Sequence, residues 1–207
     1  MSIKIILELM DLYKQTSWKQ VEDSPVSWGL TVTKHGELSL MFRETVGKEG
    51  WMSNFRFTRT PYSNMVGSFK VHTGFLELYK SIREEVLSAC EQTSGDTPIL
   101  LFGYSQGGAV AQIAAEDIQY HMHVENRIPE TNVWTYALGA PRVFGWRRPK
   151  YAQGINLLEM AGDIVTWVPP WLFGYRKAGN TYRIPNKFKP GPDSHGFENY
   201  REALEQL

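Results

Sequence analysis

Four large apolar residues, Ile99-Leu100-Leu101-Phe102, lead without interruption into Gly103-Tyr104-Ser105-Gln106-Gly107-Gly108. A run of that kind with no polar alternation is expected of a strand buried on both faces. Immediately afterwards Ala109, Val110, Ile113, Ala114 and Ile118 recur at helical spacing. Strand, glycine-flanked serine and helix therefore meet with no room for a loop. A strand-to-helix turn that tight demands small residues two before and two after the serine, and it lifts the hydroxyl clear of the sheet. It also sets the serine at a helix N-terminus, whose partial positive charge favours a developing oxyanion. The bland alternative is a glycine-rich turn whose serine only caps the helix.

The remaining periodicities extend this unit in both directions. Leu30 to Val32 and Leu38 to Phe42 read as strands around a turn at His35-Gly36, and Gly74 to Cys90 as one amphipathic helix. Ser94-Gly95-Asp96 is a turn, Val133 to Leu138 a strand, and Asn156 to Met160 a weaker one. Lys177 to Ile184 reads as a hairpin around Gly179-Asn180, and Phe197, Tyr200 and Leu204 mark a last helix. Buried strands joined through helices imply an α/β fold, a mostly parallel central sheet with helices on both faces. No repeat or Pro/Gly/Ser-rich linker divides the 207 residues, so 1–207 is expected to be one domain. Ligand sites in such sheets lie at the carboxyl ends of the strands.

A serine hydroxyl needs a base to become a nucleophile at neutral pH. On this architecture the partners follow in chain order serine, acid, histidine. Only His195 lies well downstream; His35 and His72 precede the serine, and His121 and His123 ride the helix that leaves it. The acid is expected at a strand end between them. Leu157-Leu158-Glu159-Met160-Ala161-Gly162-Asp163 supplies it in Asp163, which would fix the imidazole tautomer and stabilise the imidazolium. Asp117 is mid-helix, Glu159 lies inside the strand, and Asp193 is too near His195 in sequence for a comfortable approach. A capping serine, a turn aspartate and a surface histidine would each be ordinary alone. Together, in this order and on these elements, they point to Ser105, Asp163 and His195 as the catalytic set.

Composition removes several competing classes. Lys+Arg and Asp+Glu both number 22, which argues against nucleic acid as a partner. The only cysteine, Cys90, excludes an intrachain disulfide and multi-cysteine zinc motifs. His121-x-His123 reads as a solvated helix end, since residues two apart do not share a helix face. Neither metal nor cofactor is expected. No apolar run approaches the roughly 20 residues of a membrane span, so no stable membrane insertion is expected. The segment from Met1 to Tyr13, with Lys4, Glu8 and Asp11, reads as an amphipathic helix rather than a signal peptide. The expected location is the cytoplasm, or release without a Sec leader.

These residues resemble the class 3 lipases, a branch of the α/β-hydrolase fold, over roughly Leu38 to Leu204. Val71-His72-Thr73-Gly74-Phe75 is similar to that family's V-H-x-G-F, and Gly103 to Gly108 to its G-H-S-x-G-G. Ala137 to Val143 resembles F-G-x-P-R-V, Gly162 to Val165 with Pro169 the D-x-V-x-x-x-P acid motif, and His195 with Tyr200 the H-x-x-x-x-Y. Phe42-Arg43-Glu44-Thr45 resembles F-R-G-[ST]. The resemblance implies that the backbone N–H of Thr45 forms one half of an oxyanion hole and that of Gln106 the other. This chain departs by carrying Glu44 where the family has glycine, Tyr104 for its histidine and Gln106 for its leucine. Gly-Tyr-Ser-Gln-Gly also resembles the elbow of cutinases and of esterases of mycobacterial envelope lipids.

The implied activity is that of a serine carboxylic ester hydrolase, a lipase or esterase, acting on short- to medium-chain acyl esters, lipids among them. Ser105 attacks the carbonyl, His195 moves the proton, and water releases the acyl group. Other classes stay open: a cutin- or envelope-type esterase of phage origin, a thioesterase or amidase, and a non-catalytic binding descendant. Trp167 to Phe173 lies between acid and base and has two readings. It is an apolar loop at the mouth, with Trp171 and Leu172 binding substrate, or a buried plug over the sheet edge. Trp51, in the stretch that follows Thr45 where the family often has a lid, is the third candidate for substrate binding.

Overall fold

A computed structural model describes residues 2–22, 24–44, 57–63, 68–92, 97–124, 132–147, 149–150, 152–186 and 190–207. The chain runs α1 (Ile3–Gln15), β1 (Lys19–Gln20), β2 (Val26–Val32), β3 (Leu38–Glu44), β4 (Arg59–Ser63), β5 (Ser68–His72), α2 (Thr73–Lys80) and α3 (Arg83–Glu91). It continues through β6 (Ile99–Tyr104), α4 (Gln106–Val124), β7 (Val133–Leu138), β8 (Ile155–Met160), β9 (Asn180–Ile184) and α5 (Phe197–Glu205). Seven strands form one sheet in the order β1-β2-β3-β6-β7-β8-β9, while β4 and β5 pair separately. From β3 through β9 every neighbour is parallel; β1 and β2 join antiparallel at one edge.

Period-two alternation creates two cores. In β6, Ile99 and Leu101 pack into the core beneath α2, α3 and α4, and Leu100 and Phe102 into the one beneath α1 and α5. Each such side chain withdrawn from water contributes about 2 kcal/mol, and β6 has them on both faces. The amphipathic N-terminal helix is present, burying Ile6, Leu9 and Met10. Among the described residues no helix is long and apolar enough to cross a membrane.

Two expected elements are corrected. The single helix from Gly74 to Cys90 is two, α2 and α3, broken at Ser81 and Ile82. The Ser81 hydroxyl bonds back to the Leu78 carbonyl at 2.7 Å, and Ile82 leaves helical geometry with φ −121° and ψ −3°. Apolar spacing continues across the break, so periodicity alone did not show it. The Lys177–Ile184 segment is not a hairpin. Asn180–Ile184 is a parallel edge strand, with Asn156 opposite Asn180 and Leu158 opposite Tyr182. Gly179 takes φ +82° where the backbone closes on β8; a Cβ there would meet the Ile155 carbonyl oxygen at 2.1 Å. That glycine signals a close approach rather than a hairpin turn. The Ser94 to Asp96 turn lies outside the described residues.

Candidate active site

The elbow explains its own glycines. A Cβ on Gly103 would lie 2.3 Å from the Gly107 carbonyl carbon, and one on Gly107 would lie 2.0 Å from the Phe42 carbonyl oxygen. No rotamer change relieves either clash, because both partners are backbone. Ser105 has φ +54°, and among the described non-glycine residues it alone is positive. Strain of this kind costs on the order of 1–3 kcal/mol and persists where the surroundings impose it. Here the Ser105 N–H donates to the Leu138 carbonyl at 2.9 Å, while α4 begins at the next residue.

The downstream partners converge on the serine. His195 Nε2 lies 2.9 Å from Ser105 Oγ, and its Nδ1 lies 2.8 Å from Asp163 Oδ2. With the imidazole protonated at Nδ1, that nitrogen donates to the carboxylate and Nε2 accepts the serine proton. Asp163 ends the turn after β8, fully buried, and its Oδ1 caps the following 3₁₀ turn by accepting from the Val165 N–H at 2.9 Å. A short 3₁₀ turn, Pro192–His195, delivers the imidazole just before α5. Asn186 and Asn199 hold that turn through Ser194 Oγ at 2.8 Å and the Asp193 carbonyl at 2.6 Å. Asp193 itself faces solvent. The other carboxylates considered have different partners. Asp117 binds Arg83 and Tyr79, and Glu159, raised in pKa by burial against the opposing pull of Lys177, binds Lys177.

Two tyrosines join the site without having been assigned roles from sequence. The Tyr200 hydroxyl donates to Asp163 Oδ2 at 2.7 Å and accepts from the Met160 N–H at 2.8 Å. Burial first, then the Asp163 charge, push its phenol well above the usual range, so it is a donor at every working pH. Its place five residues after His195, one turn into the last helix, was the available signal. The Tyr104 ring stacks on the His195 imidazole with centroids 5.1 Å apart, and its hydroxyl donates to the His195 carbonyl.

The oxyanion and substrate candidates fare differently. Gln106 opens α4, so its backbone N–H stands at the helix N-terminus beside Ser105. Thr45 and Trp51 lie outside the described residues. β3 runs to Glu44 with Phe42 opposite Gly103. Position 44 is therefore ordinary extended strand and needs no glycine. The buried-plug reading of Trp167 to Phe173 is corrected. Two 3₁₀ turns, Ile164–Trp167 and Trp171–Phe173, turn Trp167, Trp171, Leu172 and Phe173 outward, at 63%, 57%, 73% and 52% exposure. Prolines 169 and 170 deny the segment the backbone donors that a strand would need.

A mostly parallel sheet carrying a strained serine elbow, with acid and histidine arriving in that order, defines an α/β-hydrolase. The profile of the class 3 lipases, described as Lipase (class 3), matches residues 39–173, and the chain belongs to that family. It is 29% identical over 152 residues to a lipase of Rhizomucor miehei, covering 70% of this chain and 41% of that one. It is 29% identical over 153 residues to the secreted mono- and diacylglycerol lipase 1 of Fusarium solani, covering 70% and 43%. Among solved structures, a propeptide complex of Rhizomucor miehei lipase superposes with a TM-score of 0.69 at 25% identity, over 82% of this chain and 55% of that one. The chain thus spans about two fifths of the length of these curated relatives. That a relative of this similarity is named as secreted overturns the expectation of a cytoplasmic or leaderless protein.

Proposed function

We propose that this chain is a carboxylic ester hydrolase of lipids working through an acyl-enzyme on Ser105. The observation that carries the reading is the continuous relay Ser105 Oγ, His195 Nε2, His195 Nδ1, Asp163 Oδ2, with steps of 2.9 and 2.8 Å. His195 takes the serine proton as the hydroxyl attacks the carbonyl. It returns that proton to the leaving alcohol, then activates water to release the acid. Asp163 stays ionised and steadies the imidazolium. The Gln106 and Thr45 backbone N–H groups receive the oxyanion. The acyl chain lies along the apolar strip that starts at Ile164, next to Asp163, and continues through Trp167 to Trp171 and Leu172. A strip open to solvent, rather than a deep tunnel, favours butyrate-to-octanoate esters.

The test is a panel of chromogenic esters from acetate to palmitate with wild type, Ser105→Ala and His195→Ala. Each substitution is expected to lower kcat by roughly 10⁴-fold or more. A fluorophosphonate should label wild type and not Ser105→Ala. Activity retained by either variant, with contamination excluded, rejects the reading.

A further inference from the structure

The chain is neutral as a whole, but its charge is not evenly spread. Four segments that meet beside the site, 57–63, 68–72, 141–150 and 164–178, contain no Asp or Glu. They carry Arg59, Lys70, Arg142, Arg147, Arg148, Lys150, Arg176 and Lys177. Three of these cations line a groove of about 450 Å³ whose walls are Arg59, Pro61, Phe69, Lys70, Trp146 and Arg147. Arg59 and Trp146 connect the groove to the exposed Trp171–Phe173 turn. Arg59 Nη1 donates to the Gly174 carbonyl at 3.1 Å, and the Arg176 guanidinium lies 3.5 Å from the centroid of the Trp146 ring and 5.8 Å from that of Trp171. Phe57 packs on Phe173 with centroids 5.1 Å apart. Trp146 is itself 61% exposed.

From these juxtapositions we infer that this face docks on an anionic lipid surface: the groove takes a phosphate-bearing head group and the Trp171–Phe173 turn enters the acyl layer beside it. Charge complementarity selects that occupant. A protein partner's apolar surface would cover these cations without carboxylates, whereas a phosphate-bearing surface offers them counter-charge. A free anion would have no use for bulky apolar side chains projecting next to its site; the boundary between head groups and acyl chains does. The strip continues from Trp171 back to Ile164, adjacent to Asp163, so a lipid held here is presented to Ser105. The inference rests on the lipid reading of the site for its purpose, but its test does not require turnover.

Ser105→Ala protein is mixed with sedimenting vesicles of phosphatidylcholine alone or with a third of phosphatidylglycerol. Binding to the anionic vesicles should be tenfold tighter or more and should weaken markedly in half-molar salt. Lys70→Glu and Arg147→Glu should each reduce the anionic binding about fivefold or more, since one basic residue near such a surface is worth roughly that factor. Leu172→Asp should weaken binding to both vesicle types, and near-ultraviolet circular dichroism verifies that each variant is folded. Equal binding to the two vesicle types, or charge reversals without effect, overturns the inference. So does retention of heparin or duplex DNA as tight as that of the anionic vesicles, because the face would then be a general polyanion site. Failure of the hydrolase reading shows separately, in the ester panel.

Discussion

Asp163 receives three hydrogen bonds, from the Val165 N–H, His195 Nδ1 and the Tyr200 hydroxyl, at 2.9, 2.8 and 2.7 Å. A buried carboxylate so surrounded has one orientation, which it imposes on the imidazole. Asp163→Asn should therefore leave the fold intact and cost several orders of magnitude in kcat, because the amide favours the wrong tautomer. Asp193→Asn, at an exposed position, should cost little. Sensitivity at Asp193 instead, measured side by side, would show that the acid had been misassigned. Tyr200→Phe probes positioning rather than chemistry. Removing a bond to a charged group typically costs about 1.5–3 kcal/mol. With the relay loosened but every reacting group present, kcat should fall at least 10-fold with KM little changed. A matching rise in KM would mean that Tyr200 shapes the substrate site instead. The convergence of Asp163 and His195 on Ser105 was legible in the sequence because it follows from chain order and strand ends. The contacts of the tyrosines were not: Tyr200 stood only as a motif residue, and an aromatic in a helix register, or at a strand end like Tyr104, looks like core until its hydroxyl is seen to reach a carboxylate or a carbonyl.

At the scale of elements, the turns were easier to read from chemistry than from periodicity. The elbow was legible because backbone crowding leaves glycine no substitute. The break between α2 and α3 was hidden because Ile82, Val86 and Cys90 all continue the buried stripe across it. The N-terminus of α2 carries a pH-sensitive contact of its own. His72 is its N-cap, with Nδ1 accepting from the Phe75 N–H at 3.4 Å, and burial depresses its pKa from 6.5 to about 4. The unfolded chain takes up this proton near 6.5 and the folded one only near 4. Stability from this residue is thus complete above pH 6.5 and is lost as the pH falls toward 4, by about 3 kcal/mol in all. His72→Asn keeps a capping side chain and should flatten the urea-midpoint profile between pH 7 and 5. An unchanged slope would place the acid sensitivity elsewhere. The Trp171–Phe173 turn makes a second element-level prediction. If acyl chains lie along it, Trp171→Ala should penalise octanoate over acetate esters by roughly 10- to 50-fold in kcat/KM, the worth of two or three methylenes at about 0.8 kcal/mol each. A uniform loss across chain lengths would move the acyl site to another segment.

For the whole molecule, the decisive fact is that the three groups of the proposed relay come from distant parts of the chain and share one sheet. Ser105 follows β6, Asp163 follows β8, and His195 follows β9 by way of a turn. The α/β class was legible because buried runs alternated with helical repeats, whereas the parallel pairing of β9 with β8 was not, because Gly179-Asn180 carries the signal of a hairpin turn. The expectation of one domain becomes a proposal about cooperativity. Leu101 packs under α4 and Phe102, its neighbour, under α1 and α5, so cavities at the two positions injure opposite faces. Leu101→Ala should cost about 2–5 kcal/mol and Phe102→Ala about 3–5 kcal/mol. If the sheet is a single cooperative unit, each should lower the same urea midpoint, read alike by far-ultraviolet circular dichroism and by fluorophosphonate labelling of Ser105. Two separate transitions, with labelling lost alongside only one of them, would show that the faces melt independently. Coincident loss is expected, because the relay has no geometry of its own: β6, β8 and the turn after β9 hold its parts within 3 Å only while the sheet that fixes their register is intact.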